Sequence, residues 1–198
     1  MAWDVEGTQR RLRDAALVEF AAHGFEGTTV AAIAARSGVN KERLYSYFGD
    51  KQALWDLVLT TELERLATAV ELSGAGLQDI GEFAGATYDY HAAHPEIARL
   101  LQWEGLQPGP PARAEVRTKH YQEKVARFAE AQREGLIDPD VSPAHLVFSL
   151  IALAAWWQTV PQLAEMITGA GPGDEQERAA RRRFVVEAAK RIASPARS

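Results

Sequence analysis

The stretch "TTVAAIAARSGVNKERLYSYFGDKQAL", residues 28 to 54, decides how this chain is read. Either Thr28 or Thr29 can cap a helix by accepting a hydrogen bond from an amide of the first turn, and Gly38 can close it. Between them Val30, Ile33 and Ala34 recur at the three- and four-residue spacing of one helical face, which predicts a short helix ending near Ser37. Asn40 is placed to cap the next helix, running through Tyr47, and Asp50 to cap another that carries Leu54, Leu57 and Val58 inward. Upstream, Leu12, Ala16 and Phe20 stand four apart, predicting a first helix from about Thr8 to His23 with Gly24 as its C-terminal cap and Gly27 loosening the chain beyond it. Two short helices joined by a glycine turn, with Val39 plugging it, form a helix-turn-helix.

On the second helix of that pair Leu44 and Phe48 face the core, which leaves Lys41, Glu42, Arg43, Tyr45 and Tyr47 around the remaining surface. Those side chains suit a DNA groove. Lysine and arginine neutralise phosphates or reach the acceptor edge of guanine; tyrosine hydroxyls donate to phosphate oxygens while their rings pack on sugars or a thymine methyl. An amphipathic helix with a solvated basic face has the same spacing, and helix-turn-helix shapes also occur in proteins that never touch DNA.

Charge distribution bears on that choice. The whole chain carries a net charge of -5, which argues against a protein that coats nucleic acid indiscriminately. Residues 1–51 are neutral, and within 36–51 Arg36, Lys41, Arg43 and Lys51 outnumber Glu42 and Asp50. The chain has no cysteine, so neither a disulfide framework nor a thiolate metal site is available. No run approaches the roughly 18 to 20 apolar residues of a membrane span, and the start carries acids and arginines where a signal peptide needs an apolar stretch. A cytoplasmic protein without membrane contact is expected.

The quoted segment resembles the DNA-binding segment of the Tet repressor (TetR) family. The paired threonines, Ile33-Ala34, Gly38-Val39, Leu44-Tyr45, Tyr47-Phe48 and Lys51 carry the resemblance, and "AALVEFAAHGFEGTT" extends it upstream. It implies an all-α protein with a three-helix DNA-binding domain over 1–51 and a helical domain over 52–198 that binds a small-molecule effector and dimerises. It further implies a homodimeric transcriptional regulator, usually a repressor, which holds a palindromic double-stranded DNA operator and lets go when the effector enters. Thr28, Tyr45, Tyr47 and Lys51 correspond to phosphate-contacting positions, and Lys41 and Glu42 to positions that approach bases; Thr29, Asn40 and Arg43 complete the candidate DNA-binding set. Many members have glycine followed by a small or polar residue where this chain has Glu42-Arg43. A carboxylate there can accept a hydrogen bond from the cytosine amino group, or be spent on an ion pair with a neighbouring arginine.

Residues 142–157, "SPAHLVFSLIALAAWW", begin with Ser142 at a cap and Pro143 in the first turn, then turn apolar on almost every side. Leu146, Leu150, Leu153 and Trp157 form one stripe; Val147, Ile151, Ala154 and Ala155 form another. Pro161 and "TGAGPGDE" end the element before a last helix, Gln176 to about Ala193, with Phe184, Val185, Ala188, Ala189 and Ile192 on one side. The two helices resemble the pair that forms the family's intersubunit four-helix bundle, so Leu146, Leu150, Leu153, Trp157, Phe184, Val185, Ala188 and Ile192 are the expected dimer contacts. A monomer burying both helices is the alternative. Helices are predicted over about 77–93, 95–106 and 111–134, and Tyr88, His91, Trp103, His120 and Tyr121 are the candidates to line an effector cavity, although aromatics at helical spacing also simply fill a core.

No metal site or cofactor is expected: in His91-x-x-His94 with Glu96 the intervening Pro95 breaks the helical spacing. There is no nucleophile elbow, phosphate loop or dinucleotide fingerprint. An unrecognised helical enzyme and a helical module binding an acidic protein remain as the competing classes, distinguished by turnover and by indifference to DNA spacing.

Overall fold

The computed structural model describes residues 4–171 and 173–195, and among them it is built of helices alone. In chain order these are α1 (Val5–Gly27), α2 (Val30–Ser37), α3 (Lys41–Phe48), α4 (Lys51–Ala69), α5 (Leu77–Ala93), α6 (Pro95–Leu106), α7 (Ala114–Arg133), α8 (Pro143–Thr159), α9 (Pro161–Thr168) and α10 (Glu175–Ala193). They form two compact units, the first reaching to Arg65 and taking in Glu96–Arg113, the second made of Leu66–Pro95 and the chain from Ala114 onward. A boundary at residue 51 is therefore not where the chain divides. Leu100 of α6 is buried in the same cluster as Leu12, Phe20, Leu54 and Trp55, so α4 up to Arg65 and α6 belong to the first core.

In that unit Phe20 meets Trp55 edge to face at 5.0 Å between ring centroids, and Leu12, Ala16, Ile33 and Leu44 are fully buried. Helix α1 begins at Val5, a few residues before Thr8, and Asp4 caps it by accepting from the Gly7 amide. Gly24 interrupts the same helix with φ 69 and ψ -177, a backbone region open essentially to glycine alone. The helix-turn-helix caps fall as the sequence predicts. Thr29 accepts from Ala32, Gly38 closes α2 in the left-handed conformation, Asn40 accepts from Arg43, and Asp50 accepts from Ala53.

The second unit packs α5 against α10 and α8. Gly81 and Gly85 allow the first of these contacts, since a Cβ at either would lie within 3.0 Å of Lys190 or Val186 side-chain atoms on α10. The core holds Ile80, Ala84, Tyr88, Phe128, Leu146, Leu150, Val185 and Ala189. The structure corrects one sequence expectation. Pro161 does not simply end α8 but opens α9, because proline at the first helical turn forfeits no hydrogen bond. The apolar α8 is not fully covered within one chain: Phe148 is 75% and Trp156 57% exposed. Among the described residues no single helix is long and apolar enough to cross a membrane; α8 and α9 pass that test only as a pair bent by 84°.

Candidate functional site

The first unit presents α3 on a scaffold fixed largely by α1. The Thr28 hydroxyl donates to the Glu19 carbonyl at 3.0 Å, and the Arg36 guanidinium donates to the Glu19 carboxylate at 2.6 Å. One residue of α1 thus anchors both ends of α2. Val39 fills the turn, and Leu44 drives α3 onto the core with no exposed surface at all, a burial worth about 1.5–3 kcal/mol.

What α3 leaves outside is the candidate interface. Lys41, Glu42 and Tyr45 are exposed, Arg43 and Tyr47 half-buried. Glu42 makes no hydrogen bond or ion pair among the described residues, and Arg36 is committed to Glu19. Of the two fates open to this carboxylate, the protein leaves it available to a partner. Tyr47 turns its ring to the edge of Phe48, 6.3 Å away, and packs at the periphery of the core. The Asn40 side-chain oxygen is used in the α3 cap.

Two of the expected phosphate contacts have intramolecular partners. Thr28 is buried and its hydroxyl is taken by Glu19, which leaves exposed Thr29 as the threonine at the surface. The Lys51 ammonium donates to the carbonyls of Phe25 (2.9 Å) and Thr28 (3.1 Å) and lies 4.2 Å from the Phe25 ring centroid. It satisfies carbonyls left over where α1 ends, so most of its donor capacity is turned inward.

The five aromatic candidates for effector binding are dispersed. Trp103 belongs to the first unit, where its indole N–H donates to the Ala21 carbonyl at 3.3 Å and its ring closes over Gly24. In the second unit Tyr88 and His91 lie one turn apart on α5, each 1% exposed. Burial raises the Tyr88 phenol above its usual range and pushes His91 down to about 4, so the imidazole is neutral, and its Nδ1 has no hydrogen-bond partner. Tyr121 is at the surface, 38% exposed. His120 lines a cleft of about 330 Å³, formed by Ala67, Leu72 and Ser73 on one side and His120, Lys124 and Arg127 of α7 on the other. Neither Tyr88, His91 nor Tyr121 lines that cleft.

The expected dimer contacts divide in two. Leu146, Leu150 and Val185 are buried in the chain's own core and are unavailable to a partner. Leu153 and Trp157 pack partly against that core, Trp157 beneath the Arg181 guanidinium at 5.2 Å. Phe184 is 57% and Ile192 39% exposed, with Ala188 half-buried beside them. Phe148 and Trp156 lie two turns apart on the outer side of α8, and Met166 and Ile167 of α9 are each 74% exposed; the sequence expectations do not include Phe148, Met166 or Ile167. The four- and eight-residue spacing of Phe148, Ala152 and Trp156 is the signal that points to Phe148.

Residues 12–58 match the domain described as bacterial regulatory proteins, tetR family, and residues 79–191 the tetracyclin repressor-like C-terminal domain. The HTH-type transcriptional repressor SCO4008 of Streptomyces coelicolor is 38% identical over 91% of this chain and 97% of its own length. The HTH-type transcriptional regulator RutR of Escherichia coli K12 is 29% identical over 86% of this chain and 83% of its own. The crystal structure of SCO4942 from Streptomyces coelicolor, a candidate transcriptional regulator, superposes with a TM-score of 0.80 at 32% identity, covering 94% of this chain and 98% of that one. Such relatives are regulators rather than enzymes, and with the helix-turn-helix in place this chain is a member of the TetR family of transcriptional regulators.

Proposed function

We propose that the protein is a homodimeric, ligand-responsive transcriptional repressor, acting in the cytoplasm, that holds a palindromic DNA operator and is released by a small molecule. The observation that carries this reading is α3 itself: Lys41, Glu42 and Tyr45 stand exposed over a fully buried Leu44. Lys41 reaches guanine or phosphate, Tyr45 donates to phosphate, and the unpaired Glu42 accepts from a cytosine amino group. Thr29, Arg43 and Tyr47 flank them. Homodimer formation is supported by the outward apolar side chains Phe148, Trp156, Phe184 and Ile192 on α8 and α10, which no solvated monomer needs. In a dimer two copies of α3 must enter successive major grooves about 34 Å apart. Helix α4 starts just after α3, and its last residues belong to the second unit, so its tilt is the route by which an effector would spoil that spacing. A coupling of about 1–3 kcal/mol would lower operator affinity roughly 5- to 150-fold.

Selection from a random DNA library with the purified full chain at near-physiological salt tests the reading. An enriched inverted repeat is expected. A folded, ligand-free protein that enriches no sequence would refute it.

A further inference from the structure

Three cations of α10 have carboxylate partners: Arg181 with Glu177, Arg182 with Asp89, Lys190 with Glu187. Lys124 on α7 differs. It makes no hydrogen bond or ion pair among the described residues, and its ammonium lies half-buried, 5.1 Å from the centroid of the Phe83 ring. Positions 120, 124 and 127 share one helical face, and His120, Lys124 and Arg127 all line the same 330 Å³ cleft. Arg127 donates one N–H to the Leu72 carbonyl, which fixes the guanidinium in the wall and leaves its other donors for use. Burial and the neighbouring Arg127 both depress the Lys124 pKa, and burial then Lys124 depress that of His120. The cleft thus holds a partly desolvated cation beside a second cation, and although Glu71 and Glu123 share the cleft and their charges act on Lys124, neither makes an ion pair with it.

We propose that this cleft is a binding site for a small organic carboxylate, its oxygens held by Lys124 and Arg127 and its apolar body against Ala67 and Leu72. A carboxylate that enters the cleft supplies the direct ion-pair contact that neither Glu71 nor Glu123 makes with Lys124, and an Arg–carboxylate contact is planar and directional. Phosphate fits less well. Glu71 and Glu123 also line the cleft and are exposed, so a second negative charge on the ligand is repelled. The volume lies at the small end of ligand sites, about 300–1,000 Å³.

The test is titration of the DNA-free full chain, by calorimetry and by following the His120 ring signals in NMR spectra, with benzoate, its neutral isostere benzamide, and phenyl phosphate. The site is read without DNA, so the result is independent of operator binding. Benzoate is expected to bind saturably and shift the His120 signals, benzamide not to bind, and phenyl phosphate to bind more weakly than benzoate. Lys124→Met keeps the apolar stem over Phe83 and should weaken benzoate about tenfold or more, the loss of one hydrogen bond to a charged group. Lys124→Arg should retain it, and circular dichroism should show both variants folded. Three results would overturn the proposal: no benzoate binding to the wild type, benzamide binding as tightly as benzoate, or a folded Lys124→Met variant that binds benzoate unchanged. Phenyl phosphate binding more tightly than benzoate would overturn the assignment to carboxylates.

Discussion

Lys51 separates two accounts of the same residue, one in which its charge meets DNA and one in which it holds the scaffold. Its ammonium makes two short hydrogen bonds to the Phe25 and Thr28 carbonyls and sits over the Phe25 ring. Hydrogen bonds to a charged group are worth about 1.5–3 kcal/mol each, and an exposed cation–π contact about 0.5–1. Lys51 is half-buried, and water replaces part of these interactions when the ammonium is removed, so Lys51→Met should reduce unfolding stability by about 2 kcal/mol. For a chain of 198 residues that corresponds to a melting temperature lower by about 4–8 °C. Urea unfolding followed by tryptophan fluorescence, at fixed protein concentration, measures the scaffold role. The salt dependence of binding to non-specific duplex DNA measures the other, since removing one phosphate-neutralising charge reduces the slope by about 0.9. The structure predicts reduced stability and a slope unchanged. Undiminished stability with a slope reduced by about 0.9 per copy would refute the reasoning and return Lys51 to the DNA.

Other outcomes follow from single contacts. Gly24→Ala places a Cβ 2.7 Å from Trp103 ring carbons at φ 69, and backbone strain with overpacking should cost about 3 kcal/mol or more in thermal unfolding. Phe148→Glu combined with Trp156→Glu should give a folded monomer by light scattering, because both side chains are exposed, whereas Val185→Glu, in the core, should abolish folding. His91 is held neutral with its pKa lowered from 6.5 to about 4. The unfolded chain therefore binds a proton that the folded chain refuses between those values, and stability present above pH 6.5 is lost as pH falls towards 4. Urea unfolding of wild type against His91→Leu should show the wild type losing about 2 kcal/mol more between about pH 7 and pH 5.

The caps and the punctuation of the helix-turn-helix are legible in the sequence because each depends on a local residue: Thr29, Gly38, Asn40 and Asp50 act within three or four residues of themselves. The start of α6 is legible for the same reason, from His94-Pro95. Long-range choices are not. Periodicity places Leu146 and Leu150 on one stripe of α8 but cannot say which of several apolar stripes meets the chain's own core, and both are internal while Phe148 and Trp156 face out. Trp103 has the character of a cavity residue, yet α6 packs with α1 and α4 and carries it into their core. Lys51 bonds residues more than twenty positions upstream, a partnership without local periodicity. The cleft beside Lys124 depends on the loop after α4 meeting α7, which no pattern in either segment announces.

The Glu19 anchor has an evolutionary consequence. Through Thr28 and Arg36 it holds α2 at both ends, while α3 is seated by Leu44 and capped by Asn40. None of these residues is Lys41, Glu42 or Tyr45, whose side chains carry no intramolecular bond among the described residues. Surface substitutions free of such ties usually change stability by less than about 0.5 kcal/mol. If α3 reads an operator as proposed, then after a gene duplication the sequence a copy reads can drift at Lys41 and Glu42, the two positions assigned to bases, while the scaffold that presents them stays intact.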